Sequence, residues 1–160
     1  MVRDGIAILK VGPALTYAFR EGLFVLSYIE KELFDKSERA NFPQTIESAM
    51  LNDPSKWRKH YHGDNDHLTL CRKYSYLDRC RYYLNLPEVE ESIKKLLKNM
   101  NSVEIPMNIL HQYMPIQYES IARGKLENTA SSLVKDYIRI VVKRYCYATG
   151  MISDISELHA

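Results

Sequence analysis

Residues 5–15 read GIAILKVGPAL. Ile6, Ala7, Ile8, Leu9 and Val11 make both faces of an extended backbone apolar, and Lys10 alone interrupts them. Gly12 and Pro13 punctuate the run, and a helical pattern starts at once. Apolarity on both faces is the pattern of a strand sandwiched inside a parallel sheet. A buried strand standing alone leaves its N–H and C=O groups orphaned, at a cost of about 1–3 kcal/mol for each group. No second strand pattern follows. The stretch therefore predicts a strand that belongs to a larger sheet, either supplied to another polypeptide or retained from a longer one.

The rest of the chain is helical in pattern. Over residues 13–34, Leu15, Ala18, Phe19, Gly22, Leu26, Ile29 and Leu33 recur at spacings of three and four, with Pro13 harmless in the first turn. After a polar loop over residues 35–42, a short helix carries Ile46, Ala49 and Met50. Asp53 followed by Pro54 signals another helix start. A polar turn surrounds Gly63, and residues 68–74 form a further short helix. Ser75 and Asp78 have capping-box spacing. Pro87 opens a helix with Val89, Ile93, Leu96, Leu97 and Met100 on one stripe. Pro106 opens the next, which Pro115 must kink or split and Gly124 closes. A last helix from about Thr129 to Thr149 is expected to bury Leu133, Ile140, Val141, Tyr145 and Ala148. The expected fold is mainly α, with one N-terminal strand and six or seven helices.

A length of 160 residues suits one domain with its own core. The net charge of +2, with both signs interspersed, gives no basic stripe, so nucleic acid is not an expected partner. No apolar stretch approaches the roughly 20 residues of a membrane-spanning helix, and no secretory pattern opens the chain. The expected location is the cytoplasm. Cys71, Cys80 and Cys146, odd in number and widely spaced, read as reduced thiols.

Four stretches in this order carry a resemblance: ILKVGPALTYAFREGLFVLSYIEKEL, KWRKHYHGD, YSYLDRCRYY and QYMPIQYESIARGKL. Together they closely resemble the C-terminal part of the Z-type, non-catalytic subunit of class II D-tagatose-1,6-bisphosphate aldolase, over residues 3–150. Members of that family are more than twice as long. The resemblance implies that residues 1–36 correspond to the last strand and helix of a (β/α)8 barrel, and residues 37–160 to a helical C-terminal extension. The gene is then truncated or split, or the chain is a fragment of a longer product. The resemblance further implies an accessory role: stabilising, in a chaperone-like way, a separate metal-dependent catalytic subunit that acts in galactitol or N-acetylgalactosamine breakdown. Self-association is a further expectation. Some relatives carry the older label of tagatose-6-phosphate kinase, although no Walker-type loop or kinase signature occurs here. No cofactor is implied and no residue is assigned a catalytic role. The alternative is a sugar-phosphate-binding enzyme in its own right; an unrelated helical interaction module is the third reading.

Three stretches carry candidate chemistry. Lys10 and Gly12 lie where barrel loops often hold phosphate, ahead of the positive end of a helix. A plain tight turn explains them equally simply, and Pro13 removes one N–H an anion would use. His60, His62 and Asp64 have metal-ligand chemistry, but two histidines two apart share a face only on a strand. Capping by His60 and Asp64 is the competing reading, and the resemblance places the metal on the partner subunit. Arg79, Arg81, Tyr82 and Tyr83, with Gln112, Tyr113, Gln117 and Tyr118, are the residue types protein interfaces favour. Internal packing of the tyrosines is the alternative.

Overall fold

The computed structural model describes residues 4–8 and 10–153, so Leu9 of the expected strand and much of the C-terminal tail lie outside it. Among the described residues there is no strand. Residues 6–8 and 10–12 form no regular element, and Ile6, Ile8 and Val11 are 44%, 87% and 38% exposed. A strand needs a neighbour to take up its ladder of N–H and C=O groups. Among the described residues no such neighbour is present, and the stretch stays irregular and exposed.

Seven α-helices follow among the described residues: α1 (Ala14–Leu33), α2 (Phe42–Asn52), α3 (Asn65–Tyr74), α4 (Pro87–Asn101), α5 (Met107–Tyr113), α6 (Pro115–Ala122) and α7 (Ala130–Ala148). None is long and apolar enough to cross a membrane. Helix α1 is central, packed against α2, α4, α5 and α7. It therefore buries a wider arc than a one-sided stripe, adding Leu23 and Phe24 to the expected Ala18, Gly22, Leu26 and Ile29. The backbones of α1 and α7 approach closely at Gly22, where an added Cβ would stand 3.5 Å from the Tyr137 ring and from the Val134 Cα.

Polar side chains fasten the ends. Arg39 donates to the carbonyls of Phe34 and Lys31, capping the C-terminus of α1. The buried Glu30 carboxylate accepts from the Ala40 N–H at 3.0 Å and from Asn99 Nδ2 at 2.7 Å, joining α1 to the 35–41 loop and to α4. Pro115 splits the expected long helix into α5 and α6, with Met114 between them. Pro54, in contrast, starts only the 3₁₀ turn Pro54–Lys56, capped by the Asp53 carboxylate. Ser75 and Asp78 form no capping box. Ser75 ends α3, and the Asp78 carboxylate turns inward to Arg20.

Candidate interaction surfaces

A groove of about 800 Å³ opens between the start of α1, the start of α6 and the C-terminal half of α7. Tyr17 and Tyr76 stack at one wall, with ring centroids 5.3 Å apart. Ile140, Val141, Tyr145 and Ala148 form the other. The sequence pattern places these four in the core, yet they are half-buried or, for Ala148, exposed. The first half of α7 packs Leu133 and Val134 on α1, and the apolar stripe then runs on beyond the elements that could cover it.

Two charges border the groove, Glu21 and Arg144. Partial burial raises the Glu21 carboxyl above its ordinary value, against the lowering influence of Arg20 and Arg144. The Tyr137 hydroxyl is pushed up to about 12 by burial, with Glu21 and Asp136 adding to the rise. Tyr137 is thus a neutral donor at any physiological pH. Beneath it, Gln117 Nε2 donates to Asp136 Oδ2 at 2.8 Å, and Arg139 Nε donates to the other oxygen at 2.8 Å.

The second surface is the 3₁₀ turn Arg79–Tyr82. Asp78, in the left-handed region with φ 47°, starts it and is tied to Arg20 of α1. Arg79 donates from Nε to the Lys56 carbonyl at 2.7 Å, and its N–H donates to Tyr61 Oη at 3.1 Å. Arg81 donates to the carbonyls of Leu77 and Asp78. The two guanidinium carbons lie 4.7 and 4.4 Å from the centre of the Tyr82 ring. Tyr82 is 48% exposed. The result is an aromatic ring flanked by two cations, each locked by backbone oxygens. Arg79 Nη2 also lies 2.7 Å from His60 Nε2. Desolvation and the charges of Arg79 and Lys59 hold the His60 pKa below its ordinary value, so the neutral ring accepts that bond at pH 7.

The interface candidates therefore divide. Arg79, Arg81 and Tyr82 come together at the surface. Tyr83 is buried with its hydroxyl donating to the Asp53 carbonyl, and Gln117 is buried on Asp136; both serve internal packing here. Tyr113 donates to Glu32 at 3.1 Å, Tyr118 stands edge-on to His111 at 4.8 Å, and Gln112 is exposed. Among the metal candidates, Asp64 caps α3 by accepting from the His67 N–H at 2.9 Å, His60 is engaged by Arg79, and His62 is exposed. Among the described residues no three His, Cys, Asp or Glu side chains gather around one point. Lys10 and Gly12 are exposed. Gly12 lines the groove, and a side chain there would meet nothing within 4 Å, so the chain itself imposes no need for glycine. Tyr17, Tyr76, Tyr137 and Arg144 were not legible as a group, because three separate segments, α1, the loop after α3 and α7, bring them together.

The sequence pattern of the D-tagatose-1,6-bisphosphate aldolase subunit GatZ/KbaZ-like family matches residues 1–150. This chain belongs to that family. It is 39% identical over 156 residues to the D-tagatose-1,6-bisphosphate aldolase subunit GatZ of Salmonella paratyphi B and, equally, to that of Salmonella newport. Those alignments cover 98% of this chain and 36% of each relative. The chain thus spans about a third of their length, corresponding to their C-terminal part. Among solved structures, a probable tagatose 6 phosphate kinase from Sinorhizobium meliloti 1021 superposes with a TM-score of 0.87 at 34% identity, covering 92% of this chain and 38% of that one. The helical arrangement described here is therefore one that this Sinorhizobium meliloti protein also adopts within a much longer chain.

Proposed function

We propose that this GatZ/KbaZ-like chain acts as an accessory, non-catalytic component that stabilises the catalytic subunit of a class II tagatose-1,6-bisphosphate aldolase in the cytoplasm, in galactitol or N-acetylgalactosamine breakdown. Its kinship with subunits named for that aldolase supports the reading. The observation that carries it is the Arg79–Tyr82–Arg81 stack. Arginine and tyrosine are enriched among the residues that dominate binding energy at protein interfaces; tyrosine brings large area with two rotors, whereas arginine's rotors must be frozen on binding unless they are held beforehand. Here the rotors are already fixed by carbonyls of residues 56, 77 and 78. In the same proposal residues 5–12 take strand form only beside the rest of a (β/α)8 sheet, and residues 37–160 are the helical extension to that barrel.

Co-expression with a catalytic subunit tests this. The expected result is a higher melting temperature and a longer active lifetime of the aldolase when this chain is present. An aldolase indifferent to it in both respects would overturn the proposal.

The name of the Sinorhizobium meliloti structure favours a second reading, phosphorylation or binding of a sugar phosphate by the chain itself at Lys10 and Gly12. Purified protein incubated with ATP and tagatose 6-phosphate should then release ADP. Failure to do so, together with no heat of binding for tagatose 6-phosphate in titration calorimetry, removes that reading.

A further inference from the structure

We infer that the surface built on the Arg79–Tyr82 turn and residues 56–62 receives an acidic segment of a protein partner. Its carboxylates seat on Arg79 and Arg81, and an apolar neighbour lies against Tyr82. Charge is the first observation. Residues 53–64 and 75–83 carry five Lys and Arg, at 56, 58, 59, 79 and 81, against three Asp. Each of those aspartates is engaged: Asp53 accepts from the Ser55 N–H, Asp64 caps α3, and Asp78 is buried on Arg20. Among the described residues none of the five cations is in a salt bridge. Desolvation and the charges of Arg79, Lys59 and His62 all lower the His60 pKa, so the field at that ring is positive. A partner of opposite field is steered to such a surface and held in register on it.

The second observation is that both arginines are held in place and keep donors for a ligand. Arg79 uses Nε on the Lys56 carbonyl and Nη2 on His60. Arg81 uses Nη1 on the carbonyls of Leu77 and Asp78, and Nη2 on Tyr82 Oη. Among the described residues, Arg79 Nη1 and Arg81 Nε have no hydrogen-bond partner. A guanidinium presents five N–H donors in a rigid fork that matches a carboxylate. Exposed ion pairs are weak largely because two long side chains must be frozen to make them. Here one side of each pair is already fixed.

Third, apolar surface lies beside the charge. Tyr82 and Leu77 are 48% and 53% exposed, and the Leu77 carbonyl is one of the two that hold Arg81. An inorganic anion would leave both side chains in water, whereas a polypeptide segment with carboxylates and an aliphatic residue covers them. Nucleic acid fits less well. It stacks successive bases on open aromatic faces, and the Tyr82 ring already has two guanidinium carbons within 4.7 Å of its centre. The inference rests on the accessory reading for the identity of the partner, the catalytic subunit, and adds the chemistry that subunit must present.

The experiment uses the full chain, with the peptide Glu-Glu-Leu-Glu-Glu as first probe and the catalytic subunit as second. Titrating the peptide at low salt should shift the Arg79 and Arg81 Nε–H and the Tyr82 ring signals in NMR spectra. Lys56→Glu combined with Lys59→Glu, both at exposed positions, should weaken peptide binding about tenfold or more. Lys94→Glu with Lys135→Glu, an equal charge reversal at exposed positions of α4 and α7, should cost far less. Association with the catalytic subunit, measured by calorimetry, should weaken about tenfold or more in the first double variant, and likewise on raising salt from about 0.05 to 0.5 M. A peptide that shifts none of these signals overturns the inference, and so does inorganic phosphate or hexathymidylate that binds there more tightly than the peptide. A catalytic subunit that binds with an affinity indifferent to both the Lys56/Lys59 reversal and salt overturns it too, while the accessory reading survives. A peptide that binds as described, beside a catalytic subunit that does not bind, upholds the acidic-segment surface and removes the accessory reading instead.

Discussion

Arg20 and Asp78 lie 58 residues apart and meet inside the protein, with Nε 2.8 Å from Oδ1 and both side chains almost wholly removed from water. The other carboxylate oxygen accepts from Thr16 Oγ1 at 2.7 Å, and the Cys80 thiol donates to Oδ1 at 3.2 Å. Arg20 Nη1 donates to the Lys73 carbonyl. Its Nη2 has no hydrogen-bond partner, while the guanidinium carbon stands 4.5 Å from the Tyr17 ring centre and 5.5 Å from that of Phe24. One pair thus fixes the start of the Arg79–Tyr82 turn and the aromatic wall of the groove.

Removing one partner strands the other. Arg20→Met should cost about 3–5 kcal/mol, because it leaves Asp78 buried and uncompensated. Urea unfolding measures it. Arg20→Met combined with Asp78→Asn should recover part of the loss, asparagine being tolerant of the left-handed backbone at position 78. A loss below about 1 kcal/mol, the level of an exposed pair, would show that the pair is not the anchor described.

Gly22 offers the opposite sign. A Cβ there meets Tyr137 and Val134 at 3.5 Å, an ordinary contact distance. Gly22→Ala should therefore stabilise by about 0.5–1 kcal/mol, since glycine inside a helix loses more backbone freedom on folding than alanine. Gly22→Leu should destabilise by about 1–3 kcal/mol through overpacking. Thermal melts of both variants check the pair of signs.

The helices were legible because their signals are local. The apolar period of α4, the break at Pro115 and the cap at Asp64 act within a turn or two of chain. The residues at 6–12 misled for a physical reason. Composition reports what a stretch prefers when covered, and the cover for this one is not among the described residues. The same holds for Ile140, Val141 and Tyr145, whose helical spacing says which face is apolar but not what lies against it. Asp78 was misread as a cap because its partner, Arg20, is remote in sequence.

Glu47 sets a pH dependence. Burial alone would raise its carboxyl, but hydrogen bonds and charge from Lys73, at 2.7 Å, and Arg72, at 3.1 Å, outweigh it and lower the pKa below the ordinary 4.5. A depressed carboxyl contributes stability that is present above the unfolded value and is lost as pH falls through the folded one. The wild type should therefore lose stability as pH drops below 4.5. Glu47→Gln should be less stable at pH 7 and show a shallower decline there. Urea midpoints taken from neutral to acid pH decide it; parallel curves for the two proteins would exclude the mechanism.

Tyr82 and Tyr83 are adjacent in sequence and opposite in placement, which makes them a matched test of the accessory role. Tyr82 is 48% exposed between two guanidinium groups, whereas Tyr83 is 2% exposed and hydrogen-bonded to the Asp53 carbonyl. Tyr82→Ala should change the stability of this chain by no more than about 0.5 kcal/mol, as surface substitutions do, yet it should weaken association with the aldolase partner about tenfold or more, as the loss of an interface anchor does. Tyr83→Phe should do the reverse, costing about 0.5–1.5 kcal/mol of stability through the lost hydrogen bond and leaving partner affinity as it was. Stability comes from urea unfolding and affinity from titration calorimetry against the catalytic subunit. If the two variants affect the partner alike, its docking depends on the integrity of the fold and not on the exposed ring.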